Sequence, residues 1–463
     1  MTNPYSGDLV GTTANMSEEA VECVLRRASA ASRGWARTPT HERVAVLRRF
    51  SQQLEPHVEE LAQLLSAENG KRISAARDEI RNAGRLFDAY ATEALRIYGQ
   101  NIPGEVQAGF ENDLIVTTHE PYGVAVLVTP FNFPVSLFTH KTAPALATGN
   151  VVIIKPSQYT PLATMRMVEL LHRAGVPEDV LQVATGEGRR VGEQLVTSPL
   201  VQLVSFTGST AVGVNVAGSA AKHLARTKLE LGGNDPLLVL PDADLDLAVS
   251  HAVSGRTLEN GQCCTAAKRF LVHSDVADEF EGRLVAELGK LVVGDQLDEG
   301  TDIGPLIHDR AAAQAAGQVG RVIEQGARLA LGTGRNDGAL LAPQVLVNVT
   351  ADADVARDDE IFAPVWPVIR FTDDQVAADI ANSSVYGLHA SVFSRDTGRA
   401  LRMARELEAG LVAINGSGLY KPAAIAFGGY KMSGVGREGL TAMAQEFTQV
   451  KTIAMRNILQ GPQ

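Results

Sequence analysis

From Gly123 onward the chain repeats one unit: a short unbroken apolar run, a loop of unusual composition, then an amphipathic stretch. The runs are Val124–Val128 (VAVLV), Val151–Ile154 (VVII), Leu181–Ala184 (LQVA) and Leu203–Phe206 (LVSF). Continuous apolar runs this short, alternating with helix-period segments such as Leu162 to Ala174, read as strands of a parallel sheet. Such βαβ units must lay their helices on the sheet faces, which makes the fold class α/β. In open α/β sheets ligands bind beyond the carboxyl ends of the strands. Here each run opens into a distinctive loop: Thr129-Pro-Phe-Asn-Phe-Pro134, Lys155-Pro-Ser157, Thr185-Gly-Glu-Gly188 and Thr207-Gly-Ser-Thr210.

At 463 residues the chain exceeds what one hydrophobic core usually organises, so two to three domains are expected. The first part, to about residue 100, reads as helical. Val21, Val24, Leu25 and Ala28 recur at helical spacing after Ser17; Val44, Leu47, Phe50 and Leu54 follow Thr40 until Pro56 interrupts; a third helix runs from His57 to Gly70. Asn101 to His119 reads as extended, with β-branching at Ile115, Val116, Thr117 and Thr118. A second half begins after Leu231, with a strand at Pro236–Leu240 and a helix from Asp242 to Ser254. The αβ alternation continues to about Asn415, and a glycine-rich stretch, Phe427-Gly-Gly-Tyr-Lys-Met-Ser-Gly434, precedes the tail.

Composition removes several function classes. With 42 basic and 53 acidic residues the net charge is −11, which argues against a nucleic-acid surface, because phosphate neutralisation needs clustered Lys and Arg. No apolar run approaches the ~20 residues of a membrane span, and MTNPYSGDLVGTT has neither the basic nor the apolar region of a secretory signal. The three cysteines are Cys23, Cys263 and Cys264. Two are adjacent, so no disulfide framework is plausible, and a reducing cytoplasm is the expected compartment. Neither CxxC nor HExxH occurs, so no metal site is expected.

Cys264 lies in Asn260-Gly-Gln-Cys-Cys-Thr265, a polar segment rather than an apolar core run. An isolated cysteine is usually a small buried hydrophobe; a nucleophilic one needs a base and donors for the oxyanion it creates. Glu230, in Leu229-Glu-Leu-Gly-Gly-Asn-Asp235, is either that base or a surface carboxylate before a turn. Asn132, held between two aromatics and two prolines, is either a rigid amide donor or a turn former. Lys155 ends an apolar run, where it reaches a ribose or phosphate oxygen or simply meets solvent. Gly208-Ser-Thr-Ala-Val-Gly213 opens a helix after a strand and offers free backbone N–H groups to a pyrophosphate. It is neither GxGxxG nor a Walker A loop.

Taken together, TPFNFP, IKPS, FTGSTAVG, LELGGND, NGQCCT, EIFAPV, YGLHASVF and FGGYKMSGVGRE resemble the aldehyde dehydrogenase superfamily, in its order and nearly end to end. The resemblance implies a Rossmann-type cofactor domain (1–100 and 121–231), an α/β catalytic domain (232–439) and a small β oligomerisation extension (101–120 and 440–463). It makes Cys264 the nucleophile and Cys263 its neighbour, Glu230 the general base, and Asn132 the oxyanion donor beside the Cys264 backbone N–H. It implies NAD or NADP as cofactor: Lys155 and Ser157 on the ribose, Gly208 and Ser209 at the pyrophosphate, Glu360 and Phe362 at the nicotinamide. Thr129, Pro130, Phe131, Gln158, Gly188, Gly192, Thr207 and Leu231 complete that surface. The reaction implied is oxidation of an aldehyde to the acid through a Cys264 thioester. Glu230 together with Cys264 favours hydrolysis over transfer to coenzyme A.

Phe133, Leu137, His140, Cys263, Thr265, Lys421 and Phe427 are expected to border the aldehyde tunnel, with Lys421 or His140 available to an anion. The subgroup resembled is that of bacterial lactaldehyde, semialdehyde and non-phosphorylating glyceraldehyde-phosphate dehydrogenases. Departures from the family pattern are Ala363 for Gly, Ala426 for Pro, and Gln158 for the Glu that repels a 2′-phosphate; the last leaves NADP use open. The family's opening strands are largely missing ahead of NPYSG. A homodimer or homotetramer is expected from the β extension. The competing class, a cysteine-dependent acyl transferase or esterase without redox chemistry, needs none of the strand-end loops.

Overall fold

Strands Val124–Val128, Val151–Lys155 and Leu203–Thr207 are buried along almost their whole length, as the unbroken apolar runs require of strands covered on both faces. The computed structural model describes residues 1–459. Four helices come first: α1 (Glu18–Arg37), α2 (Thr40–Gln53), α3 (Val58–Asn69) and α4 (Ile73–Ala94). The side chain of Ser17 caps α1 by accepting from the Ala20 N–H. Next come β1 (Asn101–Pro103) and β2 (Leu114–Pro121). The expected continuous extended stretch is thus broken by a 3-10 turn at Gly104–Val106, and Gly109 at φ +90° lies in the break. Ahead of α1, residues 1–11 hold a single antiparallel bridge, Thr2 to Leu9.

The first lobe is built on β3 (Val124–Val128), β4 (Val151–Lys155), β5 (Leu181–Val183), β6 (Leu203–Thr207) and β7 (Arg226–Glu230). Its helices are α5 (Pro134–Thr148), α6 (Leu162–Arg173), α7 (Glu193–Thr197) and α8 (Thr210–Ala221). The second lobe contains β8 (Pro236–Val239), α9 (Leu245–Thr257), β9 (Arg269–His273), α10 (Ser274–Leu288), α11 (Asp309–Glu324), β10 (Arg328–Leu331), β11 (Gln344–Val349) and α12 (Asp354–Arg357). It continues through β12 (Val365–Phe371), α13 (Asp374–Asn382), β13 (Tyr386–Gly387), β14 (His389–Phe393), α14 (Thr397–Glu406) and β15 (Leu411–Ile414). Helix α9 starts at Leu245 because Asp244 caps it, accepting from the Leu247 N–H.

Strands β16 (Tyr430–Lys431) and β17 (Gly434–Val435), helix α15 (Leu440–Glu446) and strand β18 (Thr448–Met455) complete the described chain. The first sheet has the order β17-β7-β6-β3-β4-β5, all parallel except β17. Its order reverses between β3 and β6, the place where a doubly wound sheet opens a ligand crevice. The second sheet runs β10-β11-β12-β9-β8-β14-β15, with only β10 antiparallel.

One core joins α1–α4 to the first sheet, and two others pack the faces of the second sheet. Met443 of α15 and Phe447 belong to the first core. The stretch expected as extension from residue 440 therefore begins inside the first lobe, and the extension's own sheet, β1-β2-β18, takes it up at Thr448. Among the described residues no helix is long and apolar enough to cross a membrane.

Candidate active site

The loop between α9 and β9 is forced into shape by its backbone. Glu259 and Asn260 hold left-handed φ values of 56° and 55°, costly for non-glycine residues. A Cβ on Gly261 would fall 2.3 Å from the Ala363 carbonyl carbon, so only glycine lets NGQCC lie against EIFAPV. Distant groups hold the strained turn in place. Asn260 Nδ2 donates to the carbonyls of Gly70 (2.8 Å) and Pro305 (2.9 Å), and Lys71 Nζ donates to Glu259 Oε2 at 2.7 Å.

In that loop Cys263 is buried while Cys264 is partly open. Cys263 Sγ also lies 3.3 Å from Thr265 Oγ1. The two thiols share a hydrogen bond that holds Cys263 down and, with burial and the Glu230 charge, pushes Cys264 up; Lys421 draws Cys264 the other way. Access therefore separates the neighbours, and Cys264 needs a base to take its proton.

Asn132, buried in the loop after β3, donates through Nδ2 to the Gln262 carbonyl at 2.8 Å. Its amide keeps a second N–H for a ligand. Asn69 Nδ2 donates to the Phe131 carbonyl at 2.6 Å and Lys71 Nζ to that of Asn132 at 3.0 Å, so α3 and the residues after it set this loop's position. Lys71 Nζ also lies 4.8 Å above the Phe133 ring.

Glu230 ends β7, paired with Gly434 of β17 on one side, and its carbonyl accepts from the Gly208 N–H at 3.2 Å. Both carboxyl oxygens are buried, and among the described residues no group donates to them with hydrogen-bond geometry, although the Cys264 thiol is their neighbour. Burial, then the charge of Glu438, pushes the carboxyl up to about 7, opposed by Lys421, Lys141 and the Cys264 thiol. A buried carboxyl that titrates near neutrality beside a thiol can act as a general base.

Charged neighbours that the sequence reading passed over surround it. Lys141 of α5 donates to Ser205 Oγ at 2.9 Å and is drawn down to about 7 by burial. Glu438 lies 3.6 Å from Lys228 Nζ and 3.0 Å from Lys421 Nζ. Lys421 is therefore engaged already, and it lies 3.8 Å above the Phe427 ring. Burial draws His140 down to about 4, so it carries no charge, and Nδ1 lies 2.9 Å from Tyr90 Oη. Leu137 is buried one turn before it. Thr265 Oγ1 donates to the Gly418 carbonyl at 3.2 Å, tying the Cys263–Cys264 segment to the loop that carries Lys421.

The strand ends form a second, continuous surface. Thr129 follows β3 and Thr207 ends β6, and both Oγ1 atoms are buried without a partner among the described residues. Unsatisfied buried hydroxyls flanking the sheet reversal fit a polar ligand laid across it. Among the described residues Lys155 Nζ has a single partner, the Pro156 carbonyl at 3.0 Å, and burial draws it down to about 8. Beside it, Ser157, Gln158, Thr185 and Glu187 line a cavity of about 310 Å³. Gly208 and Ser209 lead into α8, and a Cβ on Gly208 would meet the Phe206 ring at 2.6 Å.

Leu231 is buried and its N–H donates to the Ser433 carbonyl at 3.0 Å. Gly188 and Gly192 stand apart, in a short helical turn outside that cavity, where a Cβ would meet nothing within 4 Å. On the facing lobe the Phe362 ring lies 6.1 Å edge-on from Phe131, with Pro130 leading into that loop. Lys268, another residue the sequence did not mark, donates to the Cys264 carbonyl at 2.6 Å. It lies 3.3 Å from Glu360 Oε1 and 6.0 Å from the Phe362 ring.

Residues 1–453 match the aldehyde dehydrogenase family. The chain belongs to the aldehyde dehydrogenase family. It is 37% identical to a glutarate-semialdehyde dehydrogenase of Pseudomonas putida, over 98% of this chain and 94% of that one. It is likewise 37% identical to an NADP(+) succinate-semialdehyde dehydrogenase of Escherichia coli, over 97% and 93%. Among solved structures, an NADP-dependent glyceraldehyde-3-phosphate dehydrogenase from Bacillus halodurans complexed with NADP aligns with a TM-score of 0.95 and 36% identity, covering 98% of this chain and 95% of that one. The aldehyde dehydrogenase fold read from the motifs is thus established, and the chain is an oxidoreductase that oxidises an aldehyde with NAD or NADP. Nothing in the site favours an acyl transferase or esterase over this dehydrogenase.

Proposed function

We propose that the dehydrogenase works through Cys264, with Glu230 as base and Asn132 as oxyanion donor. The observation that carries this is their convergence: a partly open thiol, a buried carboxyl beside it, and an amide tied to the residue two before the thiol. Glu230 takes the thiol proton and Cys264 Sγ adds to the aldehyde carbon. The free N–H of Asn132 and the Cys264 backbone N–H receive the oxyanion. Bound NAD or NADP supplies the hydride acceptor. Once the thioester has formed, Glu230 draws a proton from water, which attacks the acyl carbon and releases the acid.

Thr129, Lys155, Ser157, Gln158 and Thr207, with Gly208 and Ser209, would hold the nucleotide's ribose and phosphates, and Glu360 and Phe362 its nicotinamide end. We assign 1–100 and 121–231 to cofactor binding and 232–439 to catalysis. The aldehyde is a small functionalised one, of the lactaldehyde, semialdehyde and glyceraldehyde-phosphate group, and the enzyme acts in the cytoplasm. Three-stranded β1-β2-β18 leaves β18 as an exposed edge, with Val450 and Ile453 in the open. That edge supports a homodimer or homotetramer.

Reduced-nicotinamide absorbance, followed with an aldehyde panel and each nucleotide, tests the assignment. Cys264→Ser should abolish turnover while nucleotide still binds. Full activity in that variant would remove Cys264 from the role.

A further inference from the structure

Gly232 and Gly233 follow Leu231 into a crowded crossing. A Cβ on Gly232 would fall 2.7 Å from Glu360 Oε2, and one on Gly233 would fall 3.2 Å from the Cys264 carbonyl oxygen. The glycine pair thus lets the Cys264 loop and the loop carrying Glu360 close on the same stretch of backbone. Lys268 joins the two. Its Nζ donates to the carbonyls of Cys264 (2.6 Å) and Ala266 (3.2 Å) and lies 3.3 Å from Glu360 Oε1. The same oxygen accepts from the Gly233 N–H at 3.4 Å.

This pairing has a direction. The Lys268 side chain is wholly buried, whereas that of Glu360 is 20% exposed, so the carboxylate reaches a surface that the ammonium does not. Two residues on, the Phe362 ring lies 6.0 Å from Lys268 Nζ. Asp235, another carboxyl close to Lys268, is pushed up to about 8 by burial, which leaves Glu360 as the ammonium's counter-charge. Backbone bonding sets the lysine's own position: its N–H donates to the Asp235 carbonyl at 2.9 Å, just ahead of β9. The next residue shows what a purely structural cation does here. Arg269 spends its donors on the carbonyls of Asn234, Ala356, Ile380 and Ala381. Lys268 instead joins a thiol-bearing residue to a carboxylate.

We infer that Lys268 is a positioning residue for the dehydrogenase reaction: it locks the Glu360 carboxylate to the Cys264 carbonyl, so that nucleophile and nicotinamide end share one frame. The inference rests on the roles proposed for Cys264 and Glu360. With Oε1 turned to Lys268 and the Gly233 N–H, Glu360 keeps Oε2 to accept from a ribose hydroxyl. Lys268 touches neither aldehyde nor nucleotide and acts only through these two residues. Reaction between a carbon on Cys264 and the nicotinamide depends steeply on their separation, and a misplacement of about 1 Å can cost about 10² in rate.

The test is a double-mutant cycle on the full chain, with Lys268→Met, Glu360→Gln and the two together. Single-turnover reduction of NAD and NADP is followed with an aldehyde that the wild type oxidises, and binding of NADH and NADPH by fluorescence titration. Lys268→Met should slow the reduction about 30-fold and raise the reduced-nucleotide Kd about threefold, while the steady-state KM for the aldehyde stays nearly unchanged. Glu360→Gln should do the same, and the double variant should be no worse than the worse single in either measurement. Losses that multiply in the cycle would separate the two residues and overturn the inference, as would a Lys268→Met enzyme with the wild-type rate. So would a smaller reduction amplitude at the wild-type rate, which reports lost folded enzyme rather than misplacement. If Lys268→Met does not fold, Lys268→Gln takes its place in the cycle, keeping an N–H for the Cys264 carbonyl but no charge for Glu360. Full activity in Cys264→Ser would instead overturn the nucleophile reading, and this inference with it.

Discussion

Asn132 Nδ2 donates to the Gln262 carbonyl at 2.8 Å, across 130 residues of sequence, and so fixes the loop after β3 to the loop that carries Cys264. The two loops come from different lobes. Lys71 reinforces the link by donating to the Asn132 carbonyl and to Glu259 at once. Asn132 and the Cys264 loop are therefore held together before any ligand arrives, and under the proposed roles that is the condition in which a hydrogen bond stabilises an oxyanion most.

Asn132→Ala should lower kcat by about 10²–10³, the usual cost of one oxyanion donor. KM for the aldehyde should move far less. Single-turnover measurements of nucleotide reduction locate the loss. If acylation runs at the wild-type rate, Asn132 is a structural residue.

Lys71→Met should be costly to the fold. It leaves Glu79 and Glu259 buried against each other without their cation, and breaking a buried ion pair from one side costs about 3–5 kcal/mol. The thermal midpoint should drop, and Lys71→Met with Glu259→Gln should recover part of the drop. A single variant as stable as the wild type would show that the network contributes nothing net.

The sheet and its strand-end loops could be read from the sequence because buried parallel strands are apolar throughout, so runs such as VAVLV mark both strand and loop. The charged interior could not. Helix α5 is buried almost all round, so Lys141 interrupts no polar face, and its partner Ser205 sits on a distant strand. Lys71 meets Glu259 across 188 residues, a contact no local pattern encodes. Adjacent Cys263 and Cys264 differ by burial, which spacing cannot show. His140 illustrates the converse: its residue type suggested a cation, and burial against Tyr90 removes the charge.

Gln158 lines the cavity beside Lys155 and brings no charge to it. Gln158→Glu should raise the KM for NADP about tenfold and leave that for NAD nearly unchanged, because a carboxylate within a few ångströms repels a phosphate dianion. Initial rates with both nucleotides measure it. An unmoved NADP KM would place the 2′-phosphate elsewhere.

If Glu230 is the base proposed above, it sets a pH dependence. As a base it must be ionised, and burial with the Glu438 charge raises its carboxyl to about 7. Activity that depends on the carboxylate is therefore present above about pH 7 and lost as pH falls through that value, approaching tenfold per unit further down. Glu230→Gln should remove this limb and slow hydrolysis more than the first reduction of nucleotide, so a burst of reduced nicotinamide precedes a slow steady state. Replacing water by a stronger nucleophile, hydroxylamine, should speed the variant's steady state by relieving the trapped thioester. A variant that keeps the acid limb and shows no burst would assign the base to another group, for which Glu438 is no candidate, since Lys421 and Lys228 hold it ionised well below that range.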